Sequence, residues 1–312
     1  MRIVFMGTPQ AAVPTLRQCL VDGHEVVAVW TQPDRPAGRG HHVAFSPVKE
    51  FAVEHGLTVH QPARLKNDEA VSLFASHDAD VAVVVAYGRI LPEPFLRTPR
   101  RGCINVHFSL LPLYRGAAPA NWAIVNGEVE TGVTTMFIEP ALDTGPILMQ
   151  RETPIHQTET APELMGRLSE IGAELLSQTL SHLHELTPRP QRDQDATFAP
   201  ILTKEDGLID WTLSAFVIER CVRGFQPWPN AYTSFNSRGL TVWRAQPLSL
   251  PSASEGRPGE VITAHGDDLI VNCGEQTALR LIEVQPESRK RIGVREFING
   301  ARLKIGDRFG NS

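Results

Sequence analysis

The chain opens on an apolar run, residues 2–6 (RIVFM), closed by Gly7-Thr8-Pro9. A short apolar run stopped by Gly and Pro predicts a buried strand, and the periodic stretch 11–21 before Gly23 predicts a helix after it. The alternation repeats, with strands predicted at 25–30 and 58–60 and helices at 47–55 and 69–76. Strand and helix in alternation imply a parallel sheet covered by helices. Residues 80–86 (DVAVVVA) are apolar at consecutive positions, as a central strand requires, and residues 103–108 (CINVHF) are predicted beside it. Further strands at 132–138 and 147–152 flank a loop, and residues 162–186 predict one long helix that closes an α/β domain.

The pattern then changes. Residues 187–200 are rich in Pro, Gln, Asp and Thr without apolar periodicity, which predicts an extended linker. The expected organisation is a first domain over 1–188, a linker over 189–206 and a second domain over 207–312. After a helix at 213–223, the second domain reads as five short strands, 232–235, 240–244, 260–264, 269–272 and 278–284, separated by Gly, Pro, Ser and Asp. That spacing predicts a small β-barrel. Such barrels bind oligonucleotides or serve as rigid packing modules, and both readings stand at this point.

A length of 312 residues suits two domains. No apolar run reaches the roughly 18 residues that suggest a membrane span, and the first residues lack the pattern of a secretory signal, so a cytoplasmic location is expected. Cys19, Cys103, Cys221 and Cys273 lie far apart without a CxxC pair, which predicts reduced thiols and no metal site. The net charge of −5 is unevenly spread: residues 207–312 carry 13 Lys/Arg against 11 Asp/Glu, and the remainder 17 against 24. Arg289, Lys290 and Arg291 are consecutive within the most basic stretch, residues 280–308. Such a run either meets a phosphate backbone or forms a solvated loop.

Asn105 and His107 are two apart on a predicted strand, so both side chains leave the same face. They sit near the strand's carboxyl end, where open α/β sheets place ligand crevices. An Asn-x-His triplet alone is too short to be specific, and a structural histidine is its default reading. The next residues, Ser109-Leu110-Leu111-Pro112, add an apolar turn suited to walling a pocket for a flat ligand. Asp143, in LDTGP, falls in a turn from which a carboxylate can reach the imidazole and orient it; taken alone it reads first as an Asx-turn residue. Gly7-Thr8-Pro9 lacks a GxGxxG fingerprint, and Pro removes an amide that phosphate binding would use. Residues 33–42 (PDRPAGRGHH) form a Gly/Pro-rich loop longer than its connection needs, with Arg35 and Arg39 able to contact phosphate.

Residues 105–116, NVHFSLLPLYRG, resemble the folate-dependent formyltransferases, whose shared motif is Asn-x-His-x-Ser-Leu-Leu-Pro with a downstream Asp. Across the chain, FMGTP, TQPDRPAGRG, VVVAYGRILP, GCINVH, RGAAPA, ETGVT, LDTGPIL, TKEDGLIDW and RGFQPWPNAYT resemble, in order, the branch of that family whose acceptor is methionyl initiator tRNA. The resemblance implies a Rossmann-like domain with a mainly parallel sheet, an OB-like barrel that holds the tRNA, and 10-formyltetrahydrofolate as donor. It places Asn105, His107 and Asp143 on the catalytic positions. Ser109, Leu110, Leu111, Pro112, Tyr87 and Gly88 fall on folate-contacting segments, and Arg39 with Arg35 on the loop that approaches the tRNA acceptor end. A monomer without metal is expected. The chain departs from the family pattern at Gln10, Ala11, His41, His42, Phe108, Ala141 and Ile201. A formyltransferase acting on a nucleotide sugar or another small amine is the alternative that shares the catalytic motif.

Overall fold

The computed structural model describes residues 1–37, 42–250 and 256–310, without the side chains of 35–37, 42 and 43. The chain folds as two compact units, neither continuous in sequence. Residues 1–119, 130–154 and 165–200 form the first; residues 120–129, 155–164 and 201–312 form the second. No helix among the described residues is long and apolar enough to cross a membrane.

The first unit is built on seven strands: β1 (Arg2–Gly7), β2 (Glu25–Trp30), β3 (Val59–His60), β4 (Val81–Val85), β5 (Cys103–His107), β6 (Glu130–Phe137) and β7 (Ile147–Pro154), in the spatial order β7-β6-β5-β4-β1-β2-β3. The strands from β5 to β3 run parallel, and β6 and β7 are antiparallel additions at one edge. β4 is buried at every position, as its unbroken Val/Ala run requires. Helices α1 (Val13–Val21), α2 (Pro47–Glu54) and α3 (Asp68–Ser76) connect the parallel strands. α2 and α3 are N-capped by Ser46 and Asn67, whose side chains accept the amides of Lys49 and Ala70. On one face Trp30 meets Phe74 and Phe95 edge-on, with ring centroids 5.3 and 5.6 Å away. Residues 165–181 of the long helix Ala161–Ser181 lie behind β5. A Cβ on Gly172 would come within 2.9 Å of Val106, so the absence of a side chain there permits the close approach.

The segment 189–200, expected as an extended linker, is laid along this first unit. Arg189 and Ile147 exchange backbone hydrogen bonds of 2.8 Å, and Phe198–Ala199 pairs in parallel with Arg115–Gly116. Backbone groups of Arg189, Thr197 and Ala199 pair with this unit, and the Arg189 and Gln191 side chains find partners in it, which the absence of apolar periodicity could not reveal.

The second unit carries an antiparallel sheet of β8 (Ala231–Phe235), β9 (Arg238–Ser249), β10 (Val261–His265), β11 (Asp268–Asn272) and β12 (Thr277–Pro286), ordered β8-β9-β12-β11-β10. The helix Ala215–Gly224 buries Ala215, Ile218 and Val222 in one core with Leu240, Val242, Leu279 and Leu281. Residues 306–310 bridge the two edge strands: Gly306 N donates to Val261 O, Phe309 N to Gly259 O and Gly310 N to Ser234 O. Among the described residues three helices have no counterpart in the sequence reading, the short Glu93–Arg97 of the first unit and two more. Val294–Ala301 buries Val294, Phe297 and Ile298 at helical spacing, but eight residues give that period little room to show. Pro119–Asn126 is apolar almost all round; its Asn121 Nδ2 donates to Gly224 O and its Val125 O accepts from Arg220 Nε.

Candidate active site

β5 lies between parallel β4 and antiparallel β6, with Asn105 opposite Val84 and Met136 and His107 opposite Thr134. Val106 faces the long helix, so Asn105 and His107 share the opposite face. His107 is buried, and Asn105 is half-buried. The Asn105 side-chain amide makes no hydrogen bond among the described residues, which leaves its donor available to a ligand.

His107 Nε2 lies 2.9 Å from the carbonyl of Tyr114. A carbonyl only accepts, so Nε2 carries the proton and Nδ1 is left facing Asp143. The distance from Nδ1 to Asp143 Oδ2 is 3.8 Å, too long for a hydrogen bond and an ion pair only when the ring carries a second proton. The same carboxylate oxygen accepts the Gly116 amide at 2.9 Å. Asp143 has a φ of +52°, in the left-handed region that Asp and Asn tolerate better than other side chains. Gly116 has a φ of +129°, and a Cβ there would stand 2.4 Å from the Ala199 carbonyl. Gly145 is equally confined, since its Cβ would stand 1.9 Å from the Phe137 carbonyl. Asp143 is therefore both the turn residue its sequence context suggested and a carboxylate delivered beside the imidazole.

The turn after β5 is pinned from several sides. Ser109 Oγ donates to Leu113 O at 2.6 Å. Thr134 Oγ1, fully buried on β6, donates to Ser109 O at 2.7 Å and accepts Leu111 N at 3.1 Å. Gln150 Nε2, on β7, donates to Leu111 O at 2.9 Å. Leu110 fills the space over Gly132, where a Cβ would stand 2.5 Å from its side chain. The backbone of Leu110, Leu111 and Pro112 is thus held by β6, β7 and Thr197, with Leu111 packed against Met136 and Ile147.

Tyr87 and Gly88 follow β4 and reach the same carboxyl edge of the sheet as His107, without hydrogen bonding to it. The Tyr87 ring is part of the core, and burial pushes its hydroxyl up to about 12. Its carbonyl accepts Thr8 Oγ1 at 3.1 Å and Gln32 Nε2 at 3.0 Å, and Gly88 has the positive φ of +77° that this turn needs. Arg39 and His41 lie outside the described residues, as do the side chains of Arg35 and His42; the backbone of Arg35–Ala37 pairs with His42–Ala44. At the base of that loop Asp34 bonds Lys49 and Gln61, whose donors hold its carboxyl below the usual carboxylate range.

Two residues that sequence reasoning did not single out join this site. Gln191 donates through Nε2 to Asp143 O and Gly145 O, both at 2.8 Å, and accepts through Oε1 from Arg115 Nε and Nη2 at 3.0 and 2.9 Å. Arg115 lay inside a recognisable motif, whereas Gln191 sits in a polar stretch with no local signal.

Family models agree with this architecture. The formyl transferase family matches residues 1–180, and the formyl transferase C-terminal domain matches residues 201–302. A methionyl-tRNA formyltransferase from Caldanaerobacter subterraneus subsp. tengcongensis is 48% identical over 309 residues, covering 98% of this chain and 99% of that protein. The chain belongs to the methionyl-tRNA formyltransferase family. Among solved structures, an N-formyltransferase from Helicobacter canadensis in complex with folinic acid and dTDP-3-aminofucose shares the fold at a TM-score of 0.64 and 17% identity, over 91% of this chain and 98% of that one. HypX from Aquifex aeolicus does so at 0.66 and 16%, over 98% of this chain, which spans only 48% of HypX.

The four cysteines stand apart from this chemistry. All are free, and burial pushes the thiols of Cys19, Cys103 and Cys273 up to about 12 and that of Cys221 to about 11.

Proposed function

We propose that the chain transfers the formyl group of 10-formyltetrahydrofolate to the α-amine of methionyl initiator tRNA. The observation that carries this reading is the pairing of the His107 ring with Asp143 beside an unpaired Asn105 amide, in a chain whose family likeness runs through both units. Attack by the neutral amine on the formyl carbon creates an oxyanion. Asn105 supplies one hydrogen-bond donor, and the His107 ring supplies a second once Nδ1 has taken a proton, Nε2–H being held by the Tyr114 carbonyl; each such donor is worth about 10²- to 10³-fold in rate. A proton leaves the attacking amine and one reaches the departing folate nitrogen; Asp143, paired with His107, is placed to hold it in transit. The pinned Ser109–Pro112 turn, with Tyr87 and Gly88 at the neighbouring strand end, forms the folate side.

On the same reading, residues 1–188 form the folate-binding and catalytic domain, 189–206 the connection, and 207–312 an OB-like tRNA-binding domain, with Arg35 and Arg39 directed at the acceptor end. The antiparallel sheet whose edges are bridged by residues 306–310 supports the barrel, and the basic stretch 280–308 supports its use on a phosphate backbone. The protein works as a monomer in the cytoplasm, without a metal. The test is acceptor choice: purified protein with 10-formyltetrahydrofolate is offered methionyl initiator tRNA, free methionine or a dTDP-linked amino sugar. Formylation confined to the charged tRNA supports the reading, and formylation of the amino sugar alone refutes it.

A further inference from the structure

Gln191 is saturated at both ends. Its carbonyl oxygen takes two donors from Arg115, which is 4% exposed and whose Nη2 also reaches Asp193 at 2.9 Å; its amide nitrogen gives to Asp143 O and Gly145 O. Resting on the reading of Asp143 as part of the reacting centre, we propose that Gln191 is a positioning residue that fixes the Asp143 carboxylate against His107.

The turn needs such a fixture. Ala141 and Leu142 before Asp143 are exposed and supply no packing, and Asp143 itself is in the left-handed conformation. The carboxylate is held by the Gly116 amide, but that bond leaves the turn's carbonyls at 143 and 145 to be satisfied elsewhere. Gln191 satisfies both and ties them to the guanidinium of the residue preceding Gly116. The clamp therefore fixes the two partners of the carboxylate bond, turn and amide, relative to each other.

Glutamine suits the position by its chemistry. A glutamate keeps an acceptor for Arg115 but offers the two carbonyls no donor, and a lysine offers donors but no acceptor for the guanidinium. The carboxylate must close by about 1 Å to accept a hydrogen bond from Nδ1 when that nitrogen is protonated, and a misplacement of that size costs about 10²-fold in rate.

The test uses Gln191→Glu, which retains the Arg115 bonds and so the packing of the segment, with Gln191→Ala as a second variant and melting curves on both. Formylation of methionyl initiator tRNA is measured in the wild-type and Asp143→Asn backgrounds. The expected result is a fall in kcat of about 10- to 100-fold in the wild-type background, with little change in either KM. The second substitution should add nothing in Asp143→Asn, because it acts through the carboxylate already removed. Hydrogen exchange at the Gly116 amide, which needs no substrate, should accelerate in Gln191→Glu while β5 amides stay protected. Equal losses in both backgrounds, a loss carried by KM, or unchanged Gly116 exchange overturns the proposal. A wild-type protein inactive on charged tRNA overturns the functional reading instead, and the Gly116 exchange still decides the clamp.

Discussion

Thr134 offers the sharpest view of how the turn after β5 is held. Its hydroxyl donates to Ser109 O and accepts Leu111 N in a fully buried setting, so Thr134→Val keeps the shape and orphans one carbonyl and one amide. An orphaned buried group costs about 1–3 kcal/mol, so the two together place the loss at roughly 2–6 kcal/mol. For a unit of this size each kcal/mol lowers the melting temperature by about 2–4 °C, so a fall of roughly 4–24 °C is expected. Thr134→Ser keeps the hydroxyl and loses one methyl, worth about 1 kcal/mol. Calorimetry on both variants, with steady-state KM for the folate donor, makes the comparison: valine should lower stability well beyond serine and raise the folate KM. Equal melting temperatures and equal KM values for the two variants would refute the claim that this hydroxyl pins the turn.

Asn105→Ala should lower kcat by about 10²- to 10³-fold with an unchanged melting temperature, because the amide has no hydrogen-bond partner among the described residues; a folding defect seen by calorimetry would contradict this. Gly116→Ala should lower both stability and kcat, since its Cβ meets the Ala199 carbonyl at 2.4 Å from a φ of +129°; a wild-type melting curve would count against it. Burial holds the imidazoles of His60 and His77 below their usual 6.5. The unfolded chain then takes up protons first on acidification, so their contribution to stability is complete above 6.5 and is lost as pH falls through the lower folded values. Urea unfolding between pH 7.5 and 5 should show this slope, and His60→Gln with His77→Gln should flatten it. With thiols raised to about 11 or 12, the thiolate fraction at pH 8 is on the order of 10⁻³ or less; iodoacetamide should leave formylation intact, and rapid inactivation of folded protein would contradict the assignment.

Much of the site was legible because it rests on short-range rules. Asn105 and His107 share a face since strand side chains alternate, and the neighbouring Val/Ala run placed them beside a central strand. Asp143 was legible as a turn residue from Thr144, Gly145 and Pro146 around it. The rest depends on contacts between positions far apart in the chain. Gln191 meets Arg115 across 76 residues, and Thr134 meets Ser109 across 25; neither carries a periodic or turn signal. The second unit shows the same division. Gly, Pro and Asp punctuated its five strands, yet β9 runs to Ser249 rather than ending near Arg244, because Ala245 to Ser249, although interrupted by Pro247, pairs with β12. Likewise the docking of residues 120–129 and 155–164 with the second unit follows from side chains such as Asn121, Trp122 and Arg223, not from composition.

The central claim is tested most directly by following a labelled formyl group from 10-formyltetrahydrofolate in a single turnover, with wild type and His107→Ala. The account predicts label on the α-amine of methionine esterified to initiator tRNA, and a transfer rate reduced at least about 10²-fold in the variant. Label transferred equally well by folded His107→Ala, or found on free methionine in preference to the charged tRNA, would contradict it.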